Sequence, residues 1–199
     1  MTITPVYKPG NNQYFIWELT DIPLPKVLDV IVEESEWIPY SSYTVLEHDS
    51  KRFVADKFDS IITDPLFKYL NYVISNRHDY DISTVWPFVN SKSFLDAIWG
   101  TQIIKDQSDF NMAPHIDNNY MFATCIINLQ DNGENTTEYF KDEEGKELIY
   151  KSPGKKGTGV LHVNSPFLYH SAHNRSKQDR IVLINNLNIA AVIRNGYAV

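Results

Sequence analysis

The chain is 199 residues long, enough for one domain with a sizeable buried interior. Its 25 acidic and 18 basic side chains give a net charge of -7, which argues against nucleic acid as a partner, since phosphate-backbone binding needs an excess of Lys and Arg. The single cysteine, Cys125, rules out an internal disulfide and suits a reducing compartment.

The first part, residues 1–95, reads as mostly helical. Met1 to Tyr7 has neither the basic start nor the apolar run of a signal peptide. No stretch approaches the roughly 18 apolar residues of a membrane span, so the expectation is a soluble, cytoplasmic protein with no membrane partner. Tyr14 to Leu19 alternates weakly and predicts an early strand. Pro23 and Pro25 lead into a helix over Lys26–Glu34, with Val27 and Ile31 on its apolar face and Val30 beside them. A second helix is predicted from the N-cap Asp64, with Pro65 at its first position, through Ile74. Its stripe is Leu66, Tyr69, Leu70 and Val73, and Ser91–Ala97 predicts a short third helix.

From residue 96 onward the pattern becomes short strands and turns. Gly100–Ile104 is a candidate strand, followed by a polar loop over Asp106–Asn111. Met121, Ala123, Cys125, Ile127 and Leu129 alternate along another, with Cys125 as a small core residue. Turns are predicted at 131–135, 142–145 and 152–157. Many short strands with regular turns point to a sandwich or jelly roll. With no repeat or linker, residues 1–199 read as one domain.

His115-Ile116-Asp117 carries the chemistry, together with His170 and, ten residues further, Arg180. Residues i and i+2 of a strand point the same way, so His115 and Asp117 can reach one ion. Two imidazoles and one carboxylate with open positions suit non-haem Fe(II) working with dioxygen. His162 and His173 compete with His170. His162 lies mid-strand between Leu161 and Val163, and six residues separate His173 from Arg180. His173 reads as a solvated loop residue, or else a group behind the ligands. Arg180 differs from Arg175 in opening an apolar strand with Val182 and Ile184 on its face. A guanidinium aimed into the interior needs an anionic partner, and a bidentate carboxylate is the natural one.

This pattern resembles the Fe(II)/2-oxoglutarate-dependent dioxygenases, in particular the prolyl-4-hydroxylase-like members. Thr124–Leu129, Gly157–Val163 and Arg180–Ile184 resemble the strands that follow the His-x-Asp, lead into the second histidine and carry the oxoglutarate-binding base. The resemblance covers residues 96 to 188. It implies a mainly β fold of mixed α/β class, a double-stranded β-helix (jelly roll) over 96–199 buttressed by N-terminal helices. It also implies Fe(II) held by His115, Asp117 and, through the family's spacing, His170 rather than His162 or His173, with 2-oxoglutarate and dioxygen as cosubstrates. Arg180 would take the distal carboxylate of the oxo acid, and the products would be succinate, carbon dioxide and a hydroxylated C–H bond. Asn128 stands where such members often have a tyrosine that binds oxoglutarate, and its amide is a candidate to replace it. The Gly-Gly of the following strand is missing, with Asn135–Phe140 in its place.

A peptidyl residue is the first substrate class this implies, then a free amino acid or other small molecule, with a nucleobase third. The competing reading is a cupin-like metal- or ligand-binding module without turnover, because the same ligands accept other metals. Tyr120 and Tyr139 are candidates to face the pocket, whereas Trp86 and Trp99 read as core.

Overall fold

The computed structural model describes residues 1–8, 15–40, 51–56, 98–118 and 121–188. The helices expected over 64–74 and 91–97, Trp86, Tyr120 and the side chain of Trp99 lie outside the described residues. The described part of the first ninety-five residues is mainly strand: β1 (Thr2–Tyr7), β2 (Ile16–Thr20), β3 (Trp37–Pro39) and β4 (Arg52–Ala55), with one helix, α1 (Val27–Glu34). This corrects the helical buttress for those residues. Each strand gains a partner at an edge of a larger sheet, a benefit that local helix preference does not register.

The rest of the chain gives β5 (Ile98–Asp106), β6 (Phe110–His115), β7 (Met121–Asn128), β8 (Thr137–Phe140), β9 (Leu148–Lys151), β10 (Gly159–Val163), β11 (Tyr169–Asn174) and β12 (Arg180–Asn188). They form two antiparallel sheets. The larger runs β1-β2-β10-β7-β12-β5-β4-β3 and the smaller β6-β11-β8-β9. Consecutive strands thus alternate largely between the sheets, which is the double-stranded β-helix expected from the sequence. The core between them gathers Ile16, Ile104, Ile126, Val160, Leu168 and Val182 around the fully buried Tyr139. The central strands of the larger sheet are buried on both faces: Ile103, Ile127 and Leu183, which alternate with the inward residues, are also at most 1% exposed.

Two features set the position of β10. Gly157, at φ 73°, turns the chain into it and accepts the Ile22 N–H, tying the approach to α1 against this turn. Gly159 then lies so close to β7 that a Cβ there would meet Ile126 O at 2.3 Å. That approach places His162 directly opposite Thr124.

Candidate metal centre

Strand register assembles the site as two facing rows. On the smaller sheet His115 pairs with His170, and His170 with Tyr139. On the larger sheet His162 pairs with Thr124, and Thr124 with Asn186. Asp117, just past the end of β6, reaches between the rows. Ligand atoms of His115, Asp117 and His170 all lie within 4.8 Å of one another.

Each donor is prepared for an ion. His115 Nδ1 is 2.9 Å from Ala113 O, so it carries the proton and leaves the Nε2 lone pair facing Asp117. Burial pushes the His170 imidazole down to about 3, against the pull of Asp117, and burial also lowers His115. Both rings are therefore neutral at physiological pH and able to ligate. Burial alone would raise the Asp117 carboxyl, but His170, His162 and His115 hold it well below the usual carboxylate range. Two neutral nitrogens and one carboxylate oxygen are a donor set that fits Fe(II).

Arg180 is buried as the sequence suggested, at 2% exposure, but its anionic partner lies within the chain. Its Nη1 donates to Asp106 Oδ2 at 2.7 Å, its Nε to Asn135 O at 3.1 Å and its Nη2 to Thr137 Oγ1 at 3.1 Å. Asp106 is fully buried at the end of β5 rather than in the polar loop read from the sequence. It also accepts from Arg52 Nε at 2.6 Å and Arg52 Nη2 at 2.9 Å. Arg180, Asp106 and Arg52 are direct cross-strand neighbours on β12, β5 and β4. Two guanidiniums share one carboxylate, so among the described residues this cluster is net positive. Thr137 pairs with Ala172, one inward row from the pairing of Tyr139 with His170. The cationic cluster therefore stands on the order of 7 Å along the strands from the metal row.

Asn128 is placed elsewhere than expected. Its amide donates to Pro153 O at 2.7 Å and to Thr158, while its oxygen accepts from Asn132. These bonds fasten the turn before β10 and occupy the groups a cofactor would need, so no cofactor role is carried forward for it. His173 is buried at the far end of β11, its Nε2 3.7 Å from Glu138 Oε1, and is not a solvated loop residue. Sequence reasoning weighed His162 only as a rival metal ligand, and it missed Arg52. Period-2 alternation with Val160 was the signal available for His162; Arg52 offered no local signal.

In sequence, no family model matches the chain and no curated protein matches it. In structure it is similar to a prolyl hydroxylase from Trichoplax adhaerens, solved in complex with a hypoxia inducible factor oxygen degradation domain peptide fragment. The TM-score is 0.60 at 10% identity, covering 92% of this chain and 87% of that one. It is also similar to a Pseudomonas putida prolyl-4-hydroxylase, with TM-score 0.53 and 9% identity over 87% of this chain and 91% of that one. At these identities the shared property is the fold, which is prolyl-4-hydroxylase-like.

Proposed function

We propose that the protein is an Fe(II)- and 2-oxoglutarate-dependent dioxygenase that hydroxylates a C–H bond of a peptidyl or small-molecule substrate. The observation that carries this reading is the pairing of a His115–Asp117–His170 face with a buried, net-positive Arg52–Asp106–Arg180 cluster one inward row away. His115, Asp117 and His170 would hold the ion. When bound, Fe(II) with the oxo acid supplies the oxidation: one atom of dioxygen enters the substrate C–H bond, the other enters succinate, and carbon dioxide leaves. The chain's own part is to position and to keep water out. Arg180 and Arg52 orient the distal carboxylate of the cosubstrate, through guanidinium N–H groups not engaged by Asp106. The fold neighbour that holds a peptide supports a peptidyl substrate first.

A second reading, a metal-binding module without turnover, draws on one observation: Arg180 already has a carboxylate partner in Asp106. An anaerobic titration of metal-free protein with Fe(II) and 2-oxoglutarate separates the two. A visible charge-transfer band of a chelated oxo acid is expected in the wild type, is lost in Asp117→Ala and needs more 2-oxoglutarate to appear in Arg180→Ala. Bound iron with no band would give the module reading the lead.

A further inference from the structure

Asp117 presents its two oxygens to different neighbours. Oδ1 lies 3.9 Å from His115 Nε2 and 3.7 Å from His170 Nε2, on the side where an ion would be held. Oδ2 is 3.1 Å from the Thr124 hydroxyl and 3.7 Å from His162 Nε2. Thr124 Oγ1 is also 3.0 Å from Asn186 Oδ1, and one hydroxyl proton serves only one acceptor. Turning the Asn186 amide over lets its NH2 donate to Thr124 while Thr124 donates to Asp117.

His162 is 1% exposed, and its Nε2 makes no hydrogen bond in the described structure. A buried polar atom left unbonded is costly, so the direction in which it points is informative. The other nitrogen is engaged: Nδ1 is 2.9 Å from the hydroxyl of Tyr139, which is fully buried. A phenol in that setting keeps its proton and, with Nδ1 as its partner, donates to it. A neutral imidazole that accepts at Nδ1 carries its own proton on Nε2. The N–H then points at Asp117 Oδ2, and a movement of less than about 1 Å closes a normal hydrogen bond. In this tautomer Nε2 has no lone pair to offer a metal.

We propose that Tyr139 and His162 are positioning residues that hold Oδ2 of Asp117 off the ion, so that Asp117 ligates through Oδ1 alone. The proposal rests on the metal-centre reading above. Its consequence is the number of open positions. A six-coordinate ion held by three protein atoms keeps three. A bidentate Asp117, or His162 as a fourth ligand, leaves two, which a chelating oxo acid would fill by itself. The Tyr139–His162 pair, which crosses from the smaller sheet to the larger, keeps the third position for dioxygen.

The test uses wild type, His162→Leu, His162→Gln and Tyr139→Phe, with folding verified by circular dichroism. Each is titrated anaerobically with Fe(II), and X-ray absorption counts the imidazoles on the bound ion. Two imidazoles are expected in the wild type. Loss of an outer partner lowers metal affinity by about ten- to a hundredfold, the effect expected for His162→Leu. His162→Gln, whose amide still donates, should restore most of that loss. Tyr139→Phe keeps the ring and the packing, and should weaken binding as well; it carries the test if His162→Leu fails to fold. Three imidazoles in the wild type, or an affinity unchanged in Tyr139→Phe and His162→Leu, overturns the proposal. A wild type that binds no metal overturns the metal-centre reading along with it, whereas binding indifferent to Tyr139 and His162 overturns this inference alone.

Discussion

Replacing Asp106 by asparagine preserves the side chain's size and removes the one negative charge between two buried guanidiniums. The carboxylate accepts from Arg52 at 2.6 and 2.9 Å and from Arg180 at 2.7 Å, and none of it reaches solvent. Removing one partner of a buried ion pair costs about 3–5 kcal/mol; two pairs share this carboxylate, so roughly 4–5 kcal/mol is expected. For a chain of this size each kcal/mol moves Tm by roughly 2–4 °C, which gives a fall of roughly 8–20 °C. Thermal and urea denaturation followed by circular dichroism measure it. The pH dependence gives an independent sign. Burial alone would raise the Asp106 carboxyl, but Arg52 and then Arg180 hold it below the usual carboxylate range. A carboxyl depressed in the folded state contributes stability that is full above its unfolded pKa of about 3.9 and is lost as pH falls toward the folded value. The wild type should therefore lead Asp106→Asn by its full margin at neutral pH, and the margin should shrink below about pH 4. A variant within about 1 kcal/mol of wild type would refute the reasoning, because the two arginines would then have their counter-charge elsewhere.

The glycines separate space from backbone strain. Gly159→Ala drives a Cβ to 2.3 Å from Ile126 O, a backbone atom that cannot step aside. A loss of about 1–3 kcal/mol in urea denaturation is expected, with weakened metal binding because His162 moves with β10. Gly133→Ala meets nothing within 4 Å and suffers only its φ of +57°, so a cost of about 1–2 kcal/mol with unchanged metal affinity is expected in the same assays.

The legible parts of the site are those that strand periodicity encodes. His115 and Asp117 are two residues apart, and Arg180 opens an apolar strand, so the local pattern already aims them inward. What was not legible is pairing between strands distant in sequence. Asp106 looked like the start of a polar loop because nothing nearby explains a buried carboxylate. Its partners are 54 and 74 residues away and meet it only through the order β4-β5-β12. His162 was read only as a mid-strand histidine, and what it faces depends on the register with Thr124 across β7. The early strand expected over Tyr14–Leu19 is β2, but β1 and β3 were not legible for a related reason: they are held by their neighbours at the two edges of the large sheet rather than by their own preference. Asn128 shows the reverse error, since the turn it fastens claims both ends of its amide.

Charge balance says what kind of acid the interior accepts. With Fe(II) bound as proposed, the ion and Asp117 would carry +1, and among the described residues Arg52 with Arg180 and Asp106 carries +1, so the loaded site would be two charges positive along one inner face. A dicarboxylate neutralises both ends; a monocarboxylic oxo acid neutralises only the end it chelates. The cluster lies on the order of 7 Å along the strands from the metal row. Four carbon–carbon bonds of about 1.5 Å each make a diacid of comparable length. Pyruvate should therefore chelate the iron but leave the arginine cluster's excess charge buried and unpaired. Losing one partner of a buried charged contact costs about 2–5 kcal/mol, so pyruvate should bind at least ~30-fold more weakly than 2-oxoglutarate in the anaerobic titration. In Arg180→Ala, where Arg52 and Asp106 balance each other, that gap should narrow severalfold through weaker 2-oxoglutarate binding. Equal affinities for the two acids in the wild type would mean that the cluster serves only to bind β4, β5 and β12 together, and that no ligand carboxylate reaches it.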